Sequence, residues 1–319
     1  MPRPDLSVII VSFNVADRLL ACLRSVRAAA GDLCLEIIVV DNASEDDSVL
    51  QAGQLAWVRL IANPDNRGFA AACNQGLRVA RGRHVLLLNP DTIVRADVLP
   101  AAVRYLGAHP DVGVLGCRVL ESDGRVAPTS HAFPSILNLA LVTSGLARFS
   151  GVPWLDRYQL TRWDRSDARD VDVVTGCFMM LRREVVDHVG LLDEDFFFCG
   201  EEVDWCLRIR LAGYRARFAP VGEIVHEGNA SGRQLGARRA LLLSLGLVRL
   251  HRKHGGLASA LAVWLMLGAH NASRALLYGL TAVLTPRRTA PQARHFAAVA
   301  SRFGEAWPRS TSRAPAPGR

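Results

Sequence analysis

The run Val85-Leu86-Leu87-Leu88 constrains the fold more than any other stretch of the chain. It is apolar at every position, with no alternation, so both faces of a strand here must be covered. That is the pattern of a parallel sheet between two helical layers. Asn89-Pro90-Asp91 follows at once. Pro90 has no N–H to donate and ends the strand. Asp91 is therefore expected at the C-terminal edge of a buried strand, where open α/β sheets gather their ligands.

The segments before it alternate in the same way. Residues 6–12 and 35–40 are β-branched apolar runs, and 57–62 reads as a third strand. Between the first two, Leu19, Leu20, Leu23 and Val26 recur at helical spacing, with Asn14 as the expected cap and Gly31 as the stop. Ser44 with Asp47 reads as a weak capping box for the next helix, and residues 68–80 as an alanine-rich helix. Strands alternating with helices predict an α/β fold with a doubly wound, mostly parallel sheet flanked by helices. Its strand ends, Ser12-Phe13-Asn14, Asp41 and Asp91, should then converge on one edge. A dinucleotide-binding domain is excluded, because the turn after the first strand lacks the glycines of GxGxxG.

Further along, a helix is expected over 97–107 and a strand over 112–120. An irregular insert follows over 128–170, carrying Phe133, Trp154, Tyr158 and Trp163, with a helix near 137–146. Residues 172–181 resume strand character, with Gly176 inside, a position that marks close approach of a ligand or backbone. After a short helix over 184–188, another should start near Glu201, burying Val203, Cys206, Leu207 and Leu211. Two strands, 214–219 and 223–225, would deliver His226. From 234 the chain turns helical, breaks at Gly255-Gly256 and continues through an apolar stretch, 257–284, interrupted by His270, Asn271 and Arg274. The Pro- and Arg-rich residues 286–319 are expected to be disordered.

Composition narrows the partners. The 319 residues carry a net charge of +8, but Lys253 is the only lysine, and no aromatic-basic ribbon or DNA-reading helix accompanies the arginines. Nucleic acid is therefore not an expected partner. The cysteines number seven with no CxxC pair, which reads as buried thiols in a reducing cytosol. Residues 1–5 lack the layout of a signal peptide, and no run of eighteen uncharged apolar residues occurs. The 257–284 stretch, with arginines nearby, is expected at a membrane surface or as an extra helical layer.

Taken in order, Leu6-Ser-Val-Ile-Ile-Val-Ser-Phe-Asn14, Val39-Val-Asp-Asn-Ala-Ser44, Asn66-Arg-Gly-Phe-Ala-Ala-Ala-Cys-Asn74, Asn89-Pro-Asp91, Gly200-Glu-Glu-Val-Asp-Trp205 and His226 resemble a family 2 glycosyltransferase of the GT-A fold, in its bacterial rhamnosyltransferase-like group. The resemblance implies an α/β GT-A domain over 1–233, with a nucleotide half to about 120 and an acceptor half over 121–233. A helical, membrane-associated extension over 234–285 and the tail follow. It implies an inverting transfer from a nucleotide diphosphate sugar, dTDP-rhamnose first and a UDP-hexose second, to a glycan or polyprenyl-linked acceptor. The location it implies is the cytoplasmic face of the membrane, with peripheral contact.

The resemblance also assigns roles. Asp91 would hold Mg²⁺ or Mn²⁺ against the donor diphosphate, with His226 as second ligand. The commoner Asp-x-Asp pattern is altered, because Asn89 replaces its first carboxylate and is expected on the ribose. Asp41 would accept N3–H of uracil or thymine, with Ser12, Phe13 and Asn14 flanking the nucleotide. Asn66, Arg67, Gly68 and Asn74 would bring backbone N–H groups to an anion, or serve as ordinary caps. The catalytic base maps to Glu202, with Glu201 and Asp204 as alternatives. Asp204 also stands four residues before Arg208, the spacing of an ordinary helical ion pair. Trp205 would stack on the acceptor or belong to the core, and Gly176 would lie on the acceptor side. Two other classes remain open: a sugar-1-phosphate nucleotidyltransferase, and a non-catalytic nucleotide-sugar-binding scaffold.

Overall fold

The computed structural model describes residues 3–148, 155–156, 158–227 and 236–309. Trp154, the glycine- and serine-containing residues 228–232, and the last ten residues lie outside them. The chain builds a nine-stranded mixed sheet with helices on both faces and a C-terminal pair of helices.

The first half follows the pattern of its apolar runs. Strands β1 (Leu6–Ser12), β2 (Leu35–Asp41), β3 (Val58–Ala62) and β4 (His84–Leu88) pair in parallel in the order β3-β2-β1-β4. Helices α1 (Ala16–Ala28), α2 (Ser48–Gly53) and α3 (Phe69–Val79) make the crossovers. Val85 to Leu88 are buried, and the residues of β1 to β4 divide between two cores, one on each face. Each face of a non-alternating strand needs such a cover.

The second half departs from parallel order. Strands β5 (Thr92–Val94), β6 (Val112–Leu120), β7 (Arg169–Val171), β8 (Phe178–Arg182) and β9 (Arg215–His226) complete the sheet. β8 runs antiparallel between β4 and β6, and β9 pairs in parallel with β6 and antiparallel with β5 and β7. Helices α4 (Val98–Ala108), α5 (Ile136–Ser144), α6 (Arg183–Val189) and α7 (Glu201–Leu211) pack around it. The final helices are α8 (Gly236–Leu284), kinked at Gly256, and α9 (Pro286–Ser301).

Several local expectations are corrected. The α1 cap is Val15, and Asn14 takes a left-handed φ of 53°, its amide oxygen accepting instead from the Glu45 N–H. Ser44 caps no helix: α2 starts at Ser48, and Ser44 donates to Asp41. Of the strand read over 172–181 only its end forms, as β8; residues 172–177 are a connection after β7 in which Val173 makes an isolated bridge to His131, so Gly176 lies in a loop against the Phe69 ring. The two short strands before His226 are one, β9. On α7, Leu211 is exposed and the buried face runs through Glu201, Val203, Asp204, Trp205, Cys206 and Ile209. Cys34 is an exposed thiol. The tail is ordered over α9, because Val299 and, just beyond it, Phe303 and Ala306 bury against α8.

Candidate active site

The C-terminal edge of the sheet carries the polar residues. Ser12 and Asp41 are register partners at the ends of β1 and β2, and β4 ends beside them in Asn89-Pro90-Asp91. β5 then places Thr92 opposite His226 on β9. That pairing brings His226 Nε2 to 3.1 Å from Asp91 Oδ1 and 3.2 Å from Asn89 Nδ2. The Glu227 N–H donates to the Asp91 carbonyl, which holds the two strand ends together. Asp91 is buried and His226 half-buried. Asn89 Nδ2 turns to the imidazole.

Asp91 and His226 offer a hard carboxylate oxygen and an imidazole nitrogen, a donor pair suited to Mn²⁺ or Mg²⁺. Among the described residues no cluster of three or more His, Cys, Asp or Glu side chains forms a complete metal cage. Asp91 and His226 are the residues that could hold such a cation.

The nucleotide-side residues are more inward-turned than expected. Asp41 is 1% exposed, and its two oxygens accept from the Ser44 N–H at 2.8 Å and the Ser44 hydroxyl at 2.6 Å. Asn14 N–H donates to the same hydroxyl, so Asn14, Asp41 and Ser44 lock one turn. Ser12 is fully buried, and its hydroxyl finds no partner among the described residues. Phe13 is half-buried in the same connection. An open groove of about 660 Å³ lies beside this turn, lined by Asn14, Ala16, Arg18, Asp46 and Glu227.

The anion cradle expected at the start of α3 is corrected. The N–H groups of Arg67, Gly68 and Phe69 already donate to Asn42 Oδ1, Asn66 Oδ1 and the Phe197 carbonyl. Gly68 has a φ of 84°, and a Cβ there would strike Phe197. Asn74 is buried and exchanges both amide bonds with the backbone of Leu192, while also donating to Glu194. It holds the 190s loop. The network of Asn42, Asn63, Asn66 and Gln75 behind this loop was not singled out from the sequence. Asn and Gln between apolar runs read simply as turn residues.

The acidic cluster opens α7. Cys199 and Gly200 both take left-handed φ values, 66° and 105°, which turn the chain sharply into the helix. Glu201 is buried, with Oε2 unpartnered among the described residues. Burial, and then the neighbouring Glu202 charge, push its carboxyl well above the usual carboxylate range. Glu202 is half-buried, and one of its oxygens accepts the Gly200 N–H. Tyr158 lies within its field: burial and the Glu202 charge raise the phenol to about 12.

Asp204 and Trp205 are both fully buried. Asp204 is fully buried and held by Arg208, Lys253 and His254 at 2.7–2.8 Å. Trp205 is likewise buried, its indole N–H donating to the Gly190 carbonyl, so it stacks on no acceptor. Lys253 and His254, which reading by local pattern missed, come from α8. The one available signal was that Lys253 is the sole lysine of the chain.

Loop contacts connect the two clusters. Asn89 N–H donates to the Cys177 carbonyl; Gly176 next to it abuts Phe69, and Phe69 N–H bonds Phe197, which leads into Cys199-Gly200 and Glu202.

Comparison with known proteins agrees with this layout. The model of Glycosyl transferase family 2 matches residues 7–190. An N-acetylglucosaminyl-diphospho-decaprenol L-rhamnosyltransferase of Mycobacterium tuberculosis is 25% identical over 282 residues, covering 83% of this chain and 90% of the relative. A pre-mycofactocin glycosyltransferase of the same species is 27% identical over 277 residues, with 82% and 50% covered. Among solved structures, a mannosyltransferase of Pyrobaculum calidifontis in complex with GDP-Man and Mn²⁺ superposes with a TM-score of 0.57 at 22% identity, over 95% of this chain and 87% of that one. TarS of S. aureus in complex with UDP gives 0.52 at 16% identity, with 94% and 91% covered. The sheet is thus a GT-A sheet, and the chain belongs to glycosyl transferase family 2.

Proposed function

We propose that the chain transfers a sugar, with inversion, from a nucleotide diphosphate donor to a cell-envelope glycan or lipid-linked acceptor, as a peripheral protein of the cytoplasmic membrane face. The observation that carries this reading is the Asp91–His226 pair, 3.1 Å apart at the C-terminal edge of the sheet. The rhamnosyltransferase relative favours dTDP-rhamnose as donor and a polyprenyl diphosphate-linked acceptor, with UDP-hexoses second. The nucleotidyltransferase alternative falls with membership of family 2.

In this reading Asp91 and His226 hold Mg²⁺ or Mn²⁺. Such a cation, when bound, offsets the negative charge that grows on the leaving diphosphate. Asp41 meets the base after Ser44 releases one of its oxygens. The acceptor oxygen attacks the anomeric carbon from the face opposite the diphosphate; the new C–O bond forms as the bond to the phosphate oxygen breaks. Glu202 takes the hydroxyl proton, while Glu201 is buried away from the surface.

The test is a panel of dTDP-, UDP- and GDP-sugars scored by thermal shift with and without Mn²⁺, followed by transfer to a polyprenyl-linked acceptor. One nucleotide class should stabilise the protein, and more so with Mn²⁺. No shift from any donor overturns the reading; binding without turnover makes the chain a scaffold.

A further inference from the structure

Among the described residues, no helix is long and apolar enough to cross a membrane. Yet α8 beyond its Gly256 kink carries an apolar face that no other element covers among the described residues. Val263, Leu267 and Asn271 point into a small core with α9, shared with Phe303 and Ala306. The opposite side presents Ala262, Leu265, Ala269, Leu276, Leu280 and Val283, all exposed, at spacings of three, four or seven residues. Those spacings place them on one stripe. Leu265, Leu276 and Leu280 are 61–66% exposed, and Val283 is 81% exposed. The one charged residue between 257 and 284 is Arg274. At 1.5 Å per residue the segment is about 40 Å long. Exposed apolar surface on this scale marks an interaction site.

Charge identifies the partner. Residues 236–319 hold thirteen basic side chains and a single acidic one, Glu305; residues 1–235 hold more acidic than basic side chains. All of the chain's excess positive charge therefore sits in the C-terminal extension. Arg287, Arg288 and Arg294 are exposed on α9, directly after the end of the stripe. An apolar helix face flanked by unpaired-sign arginines matches a surface that is apolar beneath a layer of anionic headgroups.

We propose that the distal half of α8 lies in the plane of an anionic lipid bilayer, its stripe sunk among the acyl chains and the α9 arginines on the headgroups. The same helix, just before its kink, places Lys253 on Asp193 and Asp204 of the loop and helix that carry Glu202. The membrane-facing segment is thus continuous, through one kink, with the helix that touches the Glu202-bearing element. This deepens the lipid-linked acceptor reading, but the binding itself is measured without any sugar transfer.

The experiment is sedimentation of the full chain with vesicles made of equal parts phosphatidylglycerol and phosphatidylcholine, against phosphatidylcholine alone. The protein should pellet with the anionic vesicles and far less with the neutral ones. The triple variant L265E/L276E/L280E should stay in the supernatant while keeping the parent circular dichroism, since all three positions are exposed. R287A/R288A should weaken binding roughly thirtyfold, at about 1 kcal/mol per arginine near the surface. No pelleting of the parent overturns the proposal, as does equal pelleting of the triple variant. A parent that is dimeric in solution without lipid, and monomeric once the stripe is charged, assigns the face to a second copy and also overturns it. Donor thermal shifts on the same variants keep the outcome separate from the transferase reading: loss of vesicle binding with donor shifts intact touches only the surface.

Discussion

Lys253 Nζ lies 2.7 Å from Asp204 Oδ1, and the same ammonium reaches Asp193 at 2.6 Å. The only lysine of the chain thus ties the C-terminal helix to the first turn of α7, two residues from Glu202. The C-terminal extension is thus tied to the helix that carries Glu202. Gly246, on the same helix, lies so close to the Cys199 carbonyl that a Cβ would collide with it.

Replacing Lys253 by Met should cost about 2–3 kcal/mol in urea unfolding. Removing one partner of a buried ion pair typically costs about 3–5 kcal/mol, and here Arg208 and His254 remain to hold Asp204. An unchanged midpoint would mean the ammonium contributes nothing there.

The same aspartate predicts an acid limb. Burial alone would raise its pKa, but the His254 hydrogen bond and the Arg208 and Lys253 charges outweigh burial and lower it from 3.8 to about 2. A depressed carboxyl stabilises the fold above its unfolded pKa and loses that contribution as pH falls through the folded value. Stability should therefore drop between about pH 4 and pH 2 by roughly 2 kcal/mol from this group. Asp204→Asn should be less stable at neutral pH and show a correspondingly shallower acid limb; an identical limb in parent and variant would refute the assignment.

The two glutamates should separate cleanly. Glu202→Gln is expected to lower kcat by about 10²–10⁴-fold with donor affinity unchanged. Glu201→Gln replaces a buried carboxyl whose pKa burial raises and should keep kcat within about threefold, a difference of under 1 kcal/mol. The reverse ranking in single-turnover assays would move the base to Glu201.

His226→Ala and Asp91→Asn should each weaken donor binding about 10–100-fold in Mn²⁺ and have little effect in chelator. Titration calorimetry with and without EDTA reads this directly. Equal losses in both conditions would mean the pair contacts the donor without a cation.

Gly246→Ala should push the Cys199-Gly200 turn away from α8, at a cost of about 1–3 kcal/mol for overpacking. Because that turn launches the helix bearing Glu202, kcat should fall along with Tm. A variant with parent Tm and parent kcat would show that the turn yields freely.

The sequence alone determined the parallel half of the sheet and the arrival of Asp41 and Asp91 at its edge. Those features follow from local rules: a non-alternating β-branched run must be covered on both faces, and a proline ends it. It also carried the helical start at Glu201 and the break at Gly255-Gly256. What no local pattern encodes is which distant groups meet. His226 joins Asp91 only because β5 pairs antiparallel with β9 in one particular register. Asn74 and Trp205, polar or amphipathic residues at motif positions, are drawn into the interior by backbone partners at Leu192 and Gly190 that are remote in sequence. Burial splits Glu201 from Glu202, though the two are chemically alike, because one side chain is buried and the other stays half-buried on the same turn. The Pro- and Arg-rich tail looks disordered by composition, yet α9 folds because α8 supplies an apolar surface for Val299, Phe303 and Ala306. Period and turn chemistry act over a few residues, whereas burial and ion pairing are decided by the whole packed molecule.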